Sequence, residues 1–305
     1  MKTINLGKTT LIIPSVALGC MRITELEYSE VPNYLSLAID LGINFFDHAD
    51  IYGRGECERI FAGGFSKTGV SRDKVILQSK CGIVPGQMYD SSYEYIINAV
   101  DGILTRLHTD YLDILLLHRP DALVEPEEVS KAFDELKTKG KVRFFGVSNH
   151  RPAQIDLLKK YVNEELCVNQ MQFSIPFSQM ITEGMEANMQ TEKAVDRSGS
   201  VLDYCRLNNI TMQAWSPFRG RNGSFIDDNQ TYPDLNWSLG KLAAKYHTSK
   251  TAIAAAWIMR HPANIQIVAG TMNRQRLSDI AKAAEIRLTR EEWYRLYQSA
   301  GNILP

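Results

Sequence analysis

Four polar residues stand at or just beyond the ends of three short apolar runs. Asp47 closes Asn-Phe-Phe-Asp, Tyr52 follows in the adjoining segment, Lys80 closes Val-Ile-Leu-Gln-Ser-Lys and His118 closes Leu-Leu-Leu-His. If these runs are neighbouring parallel strands of one barrel, their C-terminal ends converge and the four side chains meet. Together they make a proton donor. A free phenol titrates near ~10, too high for efficient acid work at neutral pH. A neighbouring Lys80 ammonium stabilises the phenolate and lowers that value. Asp47 pairs with Lys80 and keeps it charged, and His118 hydrogen-bonds a substrate carbonyl and orients it. Singly each has a plainer reading: Asp47 a helix cap, Tyr52 a packed loop aromatic, Lys80 a snorkelling cation, His118 a satisfied structural histidine. It is the set on one face that points to chemistry. The missing part is a reductant, since no side chain supplies a hydride and a nicotinamide cofactor does.

The elements that must position this set are legible as an alternation. Short apolar runs occur at Ser15–Cys20, Ile43–His48, Val75–Lys80, Leu112–His118, Val142–Ser148, Cys167–Phe173, Ile210–Ser216 and Ile265–Ala269. They are rich in branched and aromatic residues, as strands buried on both faces are. Leu112–Leu117 has Asp113 as its only polar position. Between the runs lie helical patterns at Tyr93–Leu107, Pro126–Lys139, from Arg151-Pro152 onward, Ser249–Met259 and Asn273–Ala284. Eight strands alternating with helices predict an α/β fold, a single (β/α)8 barrel spanning residues 1–305 as one domain. A doubly wound sheet is the alternative, but Gly19-Cys20-Met21 is not the glycine-rich turn that it wants. Lys2–Ile13 alternates around Gly7-Lys8 and reads as a β-hairpin plugging the barrel bottom. Two stretches exceed what a barrel needs: Ser174–Ser200, read as a substrate lid, and Pro217–Asn236, whose arginines and glycines suit a phosphate-bearing ligand.

Bulk properties exclude other classes. The chain has 305 residues, 44% hydrophobic and 23% charged, with a formal charge of −1. No basic balance or tail argues for nucleic acid. Cys20, Cys57, Cys81, Cys167 and Cys205 form no zinc spacing, and no metal is expected. They read as reduced, mostly buried thiols. The N-terminus lacks a signal-like apolar core and no run is long enough to span a membrane, so a cytoplasmic protein is expected. The oligomeric state is not legible, and a monomer fits.

Three stretches then acquire a joint meaning: Gly42-Ile-Asn-Phe-Phe-Asp-His-Ala-Asp-Ile-Tyr-Gly53, Leu115-Leu-Leu-His-Arg-Pro-Asp121 and Gly146-Val-Ser-Asn149. In order and spacing the sequence resembles the aldo-keto reductase superfamily over essentially its whole length. It looks closest to the bacterial oxidoreductases that carry His-Arg-Pro-Asp after the fourth strand. The resemblance implies a catalytic Asp47, Tyr52, Lys80 and His118, with Tyr52 as general acid, and a cofactor lying extended across the barrel top. It implies that Ser148, Asn149 and Gln170 hold the nicotinamide carboxamide and that Trp215 stacks on the ring. Ser216, Pro217, Phe218, Arg219 and Gly220 would begin the loop over the pyrophosphate, with Gly19, Cys20 and Met21 as backbone neighbours. Gly270, Thr271, Asn273 and Arg276 would take the adenine end, Arg276 contacting the 2′-phosphate.

Two positions depart from the family pattern. Many members carry a lysine where this chain has Gly270; NADP(H) is still expected in preference to NAD(H), which stays open. His48 stands where threonine is frequent, and on a strand it faces away from Asp47, so it reads as structural. The expected partner is a small carbonyl compound in a pocket of Met21, Arg22, Tyr52, His118, Arg119 and the two long stretches. The arginines suit either a polar or anionic substrate or surface ion pairs. Two other readings are a cofactor-binding, redox-sensing or channel-regulatory barrel with little turnover, and a Schiff-base enzyme using Lys80.

Overall fold

The computed structural model describes residues 1–304. The chain opens with an antiparallel hairpin, β1 (Thr3–Asn5) against β2 (Ile12–Pro14). Gly7 turns between them with φ 53°, and a Cβ there would lie 3.0 Å from Cys167, so the turn needs glycine on both counts. Ile4, Leu6 and Ile13 bury one face of the hairpin against Ala17, Phe45 and Cys167 in the barrel interior. The expected plug is present.

Eight parallel strands follow: β3 (Val16–Gly19), β4 (Phe45–Asp47), β5 (Ile76–Cys81), β6 (Leu112–Leu117), β7 (Val142–Ser148), β8 (Leu166–Gln172), β9 (Thr211–Trp215) and β10 (Gln266–Ala269). Each pairs with the next in chain order, and β10 pairs back onto β3, closing the barrel. The one acid of β6 is satisfied where it is buried: Asp113 accepts from Arg72 at 2.7 Å, Arg143 at 2.8 Å and the Leu77 amide at 2.9 Å.

The helices lie outside the barrel. They are α1 (Val31–Asp40), α2 (Glu56–Phe65), α3 (Tyr93–Leu107), α4 (Pro126–Thr138), α5 (Pro152–Tyr161), α6 (Gln179–Met185), α7 (Val201–Asn208), α8 (Pro233–Lys245), α9 (Lys250–Met259), α10 (Arg274–Lys282) and α11 (Arg290–Ser299). Their starts follow local chemistry. Ser92, Ser249 and Asn273 cap α3, α9 and α10, and Thr289 with Glu292 forms a capping box on α11. Thr251–Met259 of α9 are all buried, packed among β10, α8, α10 and the 3-10 turn Ala283–Glu285, with α11 adding an aromatic pair. Trp257 and Trp293 stack at 4.7 Å, and each indole N–H donates to the other's backbone carbonyl at 3.0 Å.

Ser174–Ser200 is not an unstructured lid. It folds into α6 and a short 3-10 turn, Glu192–Ala194, and docks toward the C-terminus. Tyr297 donates to Thr182 at 2.9 Å and Lys193 to the Gly301 carbonyl at 2.6 Å. Among the described residues no helix is long and apolar enough to cross a membrane.

Candidate active site

The upper barrel interior is polar. Asp47 and Lys80 come from β4 and β5, neighbours in register, so Asp47 faces Gln78 and Lys80 stands one pleat above. Lys80 is fully buried, and its ammonium donates to both Asp47 oxygens at 2.7 and 2.8 Å, to the His48 carbonyl at 2.8 Å and to the Tyr52 hydroxyl at 3.3 Å. Tyr52 begins a 3-10 turn just past β4. Gly53 and Arg54 there adopt left-handed backbone, which folds the ring back over the barrel mouth. His118 follows β6, and its ring meets Tyr52 edge-on at 6.0 Å. All four expected catalytic residues therefore meet.

Burial sets the electrostatics. It pushes the Tyr52 phenol up; Lys80 pulls it down and Asp47 raises it again, with a net upward shift. The expectation that Lys80 would leave a lowered phenol is thus corrected: the cation acts in the right direction, but desolvation outweighs it. For Lys80 itself, burial lowers the ammonium and Asp47 and Tyr52 raise it, the ion pair winning. His118 is lowered to about 2 by burial first, then by Lys80 and Arg119, so it is neutral at working pH. His48 faces outward, edge-on to Phe61 at 4.6 Å, and burial followed by Lys80 lowers it to about 3, as a structural histidine requires.

A cavity of about 440 Å³ opens above the tetrad. Asp47, Tyr52 and His118 line its floor, with Ser148, Asn149 and Gln170 on one side and Trp215, Ser216, Pro217, Phe218 and Arg219 on another. Gly19, Met21, Gly270, Thr271 and Arg276 line it toward α10. Three expected cofactor residues lie off this wall. Cys20 is buried with Sγ on the Leu18 carbonyl at 3.6 Å. Asn273 uses its side chain to cap α10, accepting from the Arg276 amide at 2.9 Å. Gly220 is packed under Tyr232, 2.6 Å from where a Cβ would stand.

The wall also corrects the pocket's expected makeup. Met21, Arg22 and Arg119 line it, as does Pro217–Ser224 in part, but nothing from Ser174–Ser200 does. Ile226, within the expected Pro217–Asn236 stretch, lines it, and Ile51, Ile83 and Thr251 add positions that the sequence pattern does not mark. Asn149 and Ser216 both take left-handed φ, 61° and 51°, immediately after β7 and β9. Backbone strain of this kind concentrates at functional sites. Asn149 reaches across the mouth: its Nδ2 donates to Ser148 Oγ at 2.7 Å, and its Oδ1 accepts from the Trp215 indole at 3.0 Å. The indole plane is fixed by that bond.

A profile of the Aldo/keto reductase family matches residues 15–300. The chain belongs to the aldo/keto reductase family. It is an NAD(P)H-dependent oxidoreductase of that family. The uncharacterized oxidoreductase YcsN of Bacillus subtilis (strain 168) is 34% identical over 92% of this chain and 91% of its own length. A 6-dehydroglucose reductase of Agrobacterium fabrum is 34% identical over 85% of this chain and 84% of its own. The crystal structure of a Bombyx mori aldo-keto reductase in complex with NADP superposes with a TM-score of 0.75, covering 98% of this chain and 92% of that one at 22% identity.

The cavity of this aldo/keto reductase fits an extended dinucleotide by its donor set. Gln170 spends both amide hydrogens inside the barrel, on Asp47 at 3.1 Å and Gln213 at 2.9 Å, which leaves its carbonyl oxygen for a carboxamide. Trp215 offers a flat face, over which Arg119 now lies at 5.7 Å. At the far end the α10 N-terminus and Arg276 provide the positive charge a phosphate wants. A Cβ at Gly270 would meet nothing within 4 Å, so there is room there.

Proposed function

We propose that this protein reduces an aldehyde or ketone carbonyl to an alcohol with NADPH, Tyr52 acting as general acid. The observation that carries the reading is the Tyr52 hydroxyl held 3.3 Å from a buried, ion-paired Lys80 on the floor of the cavity. The bound nicotinamide supplies the hydride. Tyr52 transfers its proton to the oxygen as negative charge grows there, and Lys80 stabilises the phenolate left behind until solvent reprotonates it. Neutral His118 hydrogen-bonds the same oxygen and sets which face of the carbonyl is presented. Ser148, Asn149 and Gln170 hold the carboxamide, Trp215 the ring, Arg219 the pyrophosphate and Arg276 the 2′-phosphate. Chemistry of this kind needs a small-molecule carbonyl only, and the reading takes the chain as one barrel domain working in the cytoplasm.

The test is loss of NADPH absorbance with a panel of aldehydes and ketones, headed by a sugar aldehyde because of the Agrobacterium relative's name. Wild type is expected to turn over, and Tyr52→Phe to lose about 10²–10⁴-fold, the usual worth of a positioned proton donor. A Tyr52→Phe variant that keeps wild-type kcat refutes the assignment of the acid.

A further inference from the structure

From the plug hairpin up to the cavity wall, four glutamines from four strands form one hydrogen-bonded set: Gln78 of β5, Gln170 of β8, Gln213 of β9 and Gln266 of β10. Each is 2% exposed or less. At the bottom, Gln266 Nε2 donates to the Pro14 carbonyl of the plug hairpin at 2.7 Å. Its Oε1 accepts from Gln213 Nε2 at 2.8 Å. Gln213 Oε1 accepts from Gln78 Nε2 and Gln170 Nε2, both at 2.9 Å. Those two nitrogens donate onward to Asp47 Oδ1, at 2.7 and 3.1 Å. Gln78 Oε1 takes the second hydrogen of Gln213 at 3.1 Å.

The direction of this set is fixed at both ends. The Pro14 carbonyl can only accept, so Gln266 must present its nitrogen downward and its oxygen upward. That turns Gln213 nitrogen-down and oxygen-up, which in turn holds two N–H groups toward Asp47. The Asp47 carboxylate also only accepts, and so demands the same polarity. Reversing any one amide puts oxygen against oxygen in a dry interior, at a cost of about 1–3 kcal/mol for each group left unpaired. Leucine or methionine would fill the same space without that liability, so volume alone does not account for four amides.

We propose that Gln78, Gln213 and Gln266, with Gln170, are positioning residues for proton transfer: they hold the Asp47 carboxylate in the plane that grips Lys80 through both oxygens, and so set the acidity of Tyr52. The inference rests on Tyr52 being the acid. Without the amides Asp47 can turn about its side-chain bonds, Lys80 is gripped less well, and its pull on the phenol weakens.

The experiment is the pH dependence of alcohol oxidation by NADP+, in which the Tyr52 phenolate is the base and the rate climbs with pH. Gln213→Met is expected to shift that ascending limb upward by about one pH unit and to lower kcat about tenfold, with KM for NADP+ within about twofold of wild type. Gln266→Met, one bond farther from Asp47, should move the limb the same way by less. A limb at the wild-type position in folded variants overturns the proposal, even if kcat and Tm have dropped, since a merely structural role does only that. If Gln213→Met does not yield folded protein, the Gln266→Met profile decides alone. Tyr52→Phe run alongside separates the two readings: activity surviving in it refutes the acid assignment, whereas its loss together with an unmoved limb in the glutamine variants refutes only the positioning role.

Discussion

Lys80→Met should unfold this protein far more readily than its change in volume suggests. The substitution leaves the Asp47 carboxylate at 2% exposure, with two glutamine amides as its remaining donors. Removing one partner of a buried pair costs about 3–5 kcal/mol, and at about 2 °C per kcal/mol for a chain of this size Tm falls by about 6–10 °C. Asp47→Asn, which strands the ammonium instead, should cost a similar amount. The double variant Asp47→Asn/Lys80→Met removes both charges but keeps an oxygen to accept from Gln78 and Gln170. It should recover to within about 1–2 kcal/mol of wild type, a coupling of several kcal/mol in a double-mutant cycle. Thermal unfolding followed by far-ultraviolet circular dichroism gives all four corners. Activity must not recover with stability. At 3.3 Å and an effective dielectric of ~20, Lys80 favours the phenolate by about 5 kcal/mol before the opposing charge of Asp47 is counted. Losing it should lower kcat by about a hundredfold or more in the single Lys80 variant and in the double alike. Two additive single losses, with the double variant the least stable of all, would refute the account of a matched buried pair.

Two further outcomes follow from the same geometry. His118, held at about 2 by burial, Lys80 and Arg119, stays neutral, so kcat for reduction should show no inflection near the ~6.5 of a free histidine. Because its folded value lies below its unfolded one, the stability it contributes is present above pH ~6.5 and lost as pH falls toward 2; acid unfolding of His118→Asn should be correspondingly less steep. At the other end of the cavity, Gly270 has open space at its Cβ and no left-handed backbone, so Gly270→Lys is sterically free. It should lower the Kd for NADPH about tenfold and leave that for NADH within about twofold, while Arg276→Ala raises the NADPH value by about 10–100-fold; fluorescence titration of the cofactor reads both.

The tetrad was legible because Asp47, Lys80 and His118 stand at strand ends, and strand ends in a closed barrel share one mouth whatever the intervening helices do. Asp47, Lys80 and His118 needed only the alternation of apolar runs to be placed, and Tyr52 only its distance from Asp47. What lay hidden depends on side chains meeting across the barrel. Ser174–Ser200 looks like a free loop by length, and its docking rests on Thr182 and Lys193 finding Tyr297 and Gly301 more than a hundred residues away. Asn273 fits a cofactor-lining pattern, yet it spends its side chain on a helix cap.

The glutamines carry a signal that no single strand makes readable. Gln78 stands two residues before Lys80, and Gln213 two before Trp215, so alternation puts each on the inward face of its strand beneath a candidate site residue. In a barrel whose lower interior is Ile4, Leu6, Phe45 and Cys167, an inward amide is an anomaly that the strand pattern already contains. A single such glutamine carries little information, because a buried amide is satisfied by any carbonyl within reach. Four become informative only once closure brings β5, β8, β9 and β10 around one axis and the Pro14 carbonyl fixes which way every amide must face. The hairpin thus does more than fill the barrel's end. It supplies the acceptor from which the hydrogen-bond polarity of the interior runs up to Asp47, tying the chain's first residues to the group that grips Lys80.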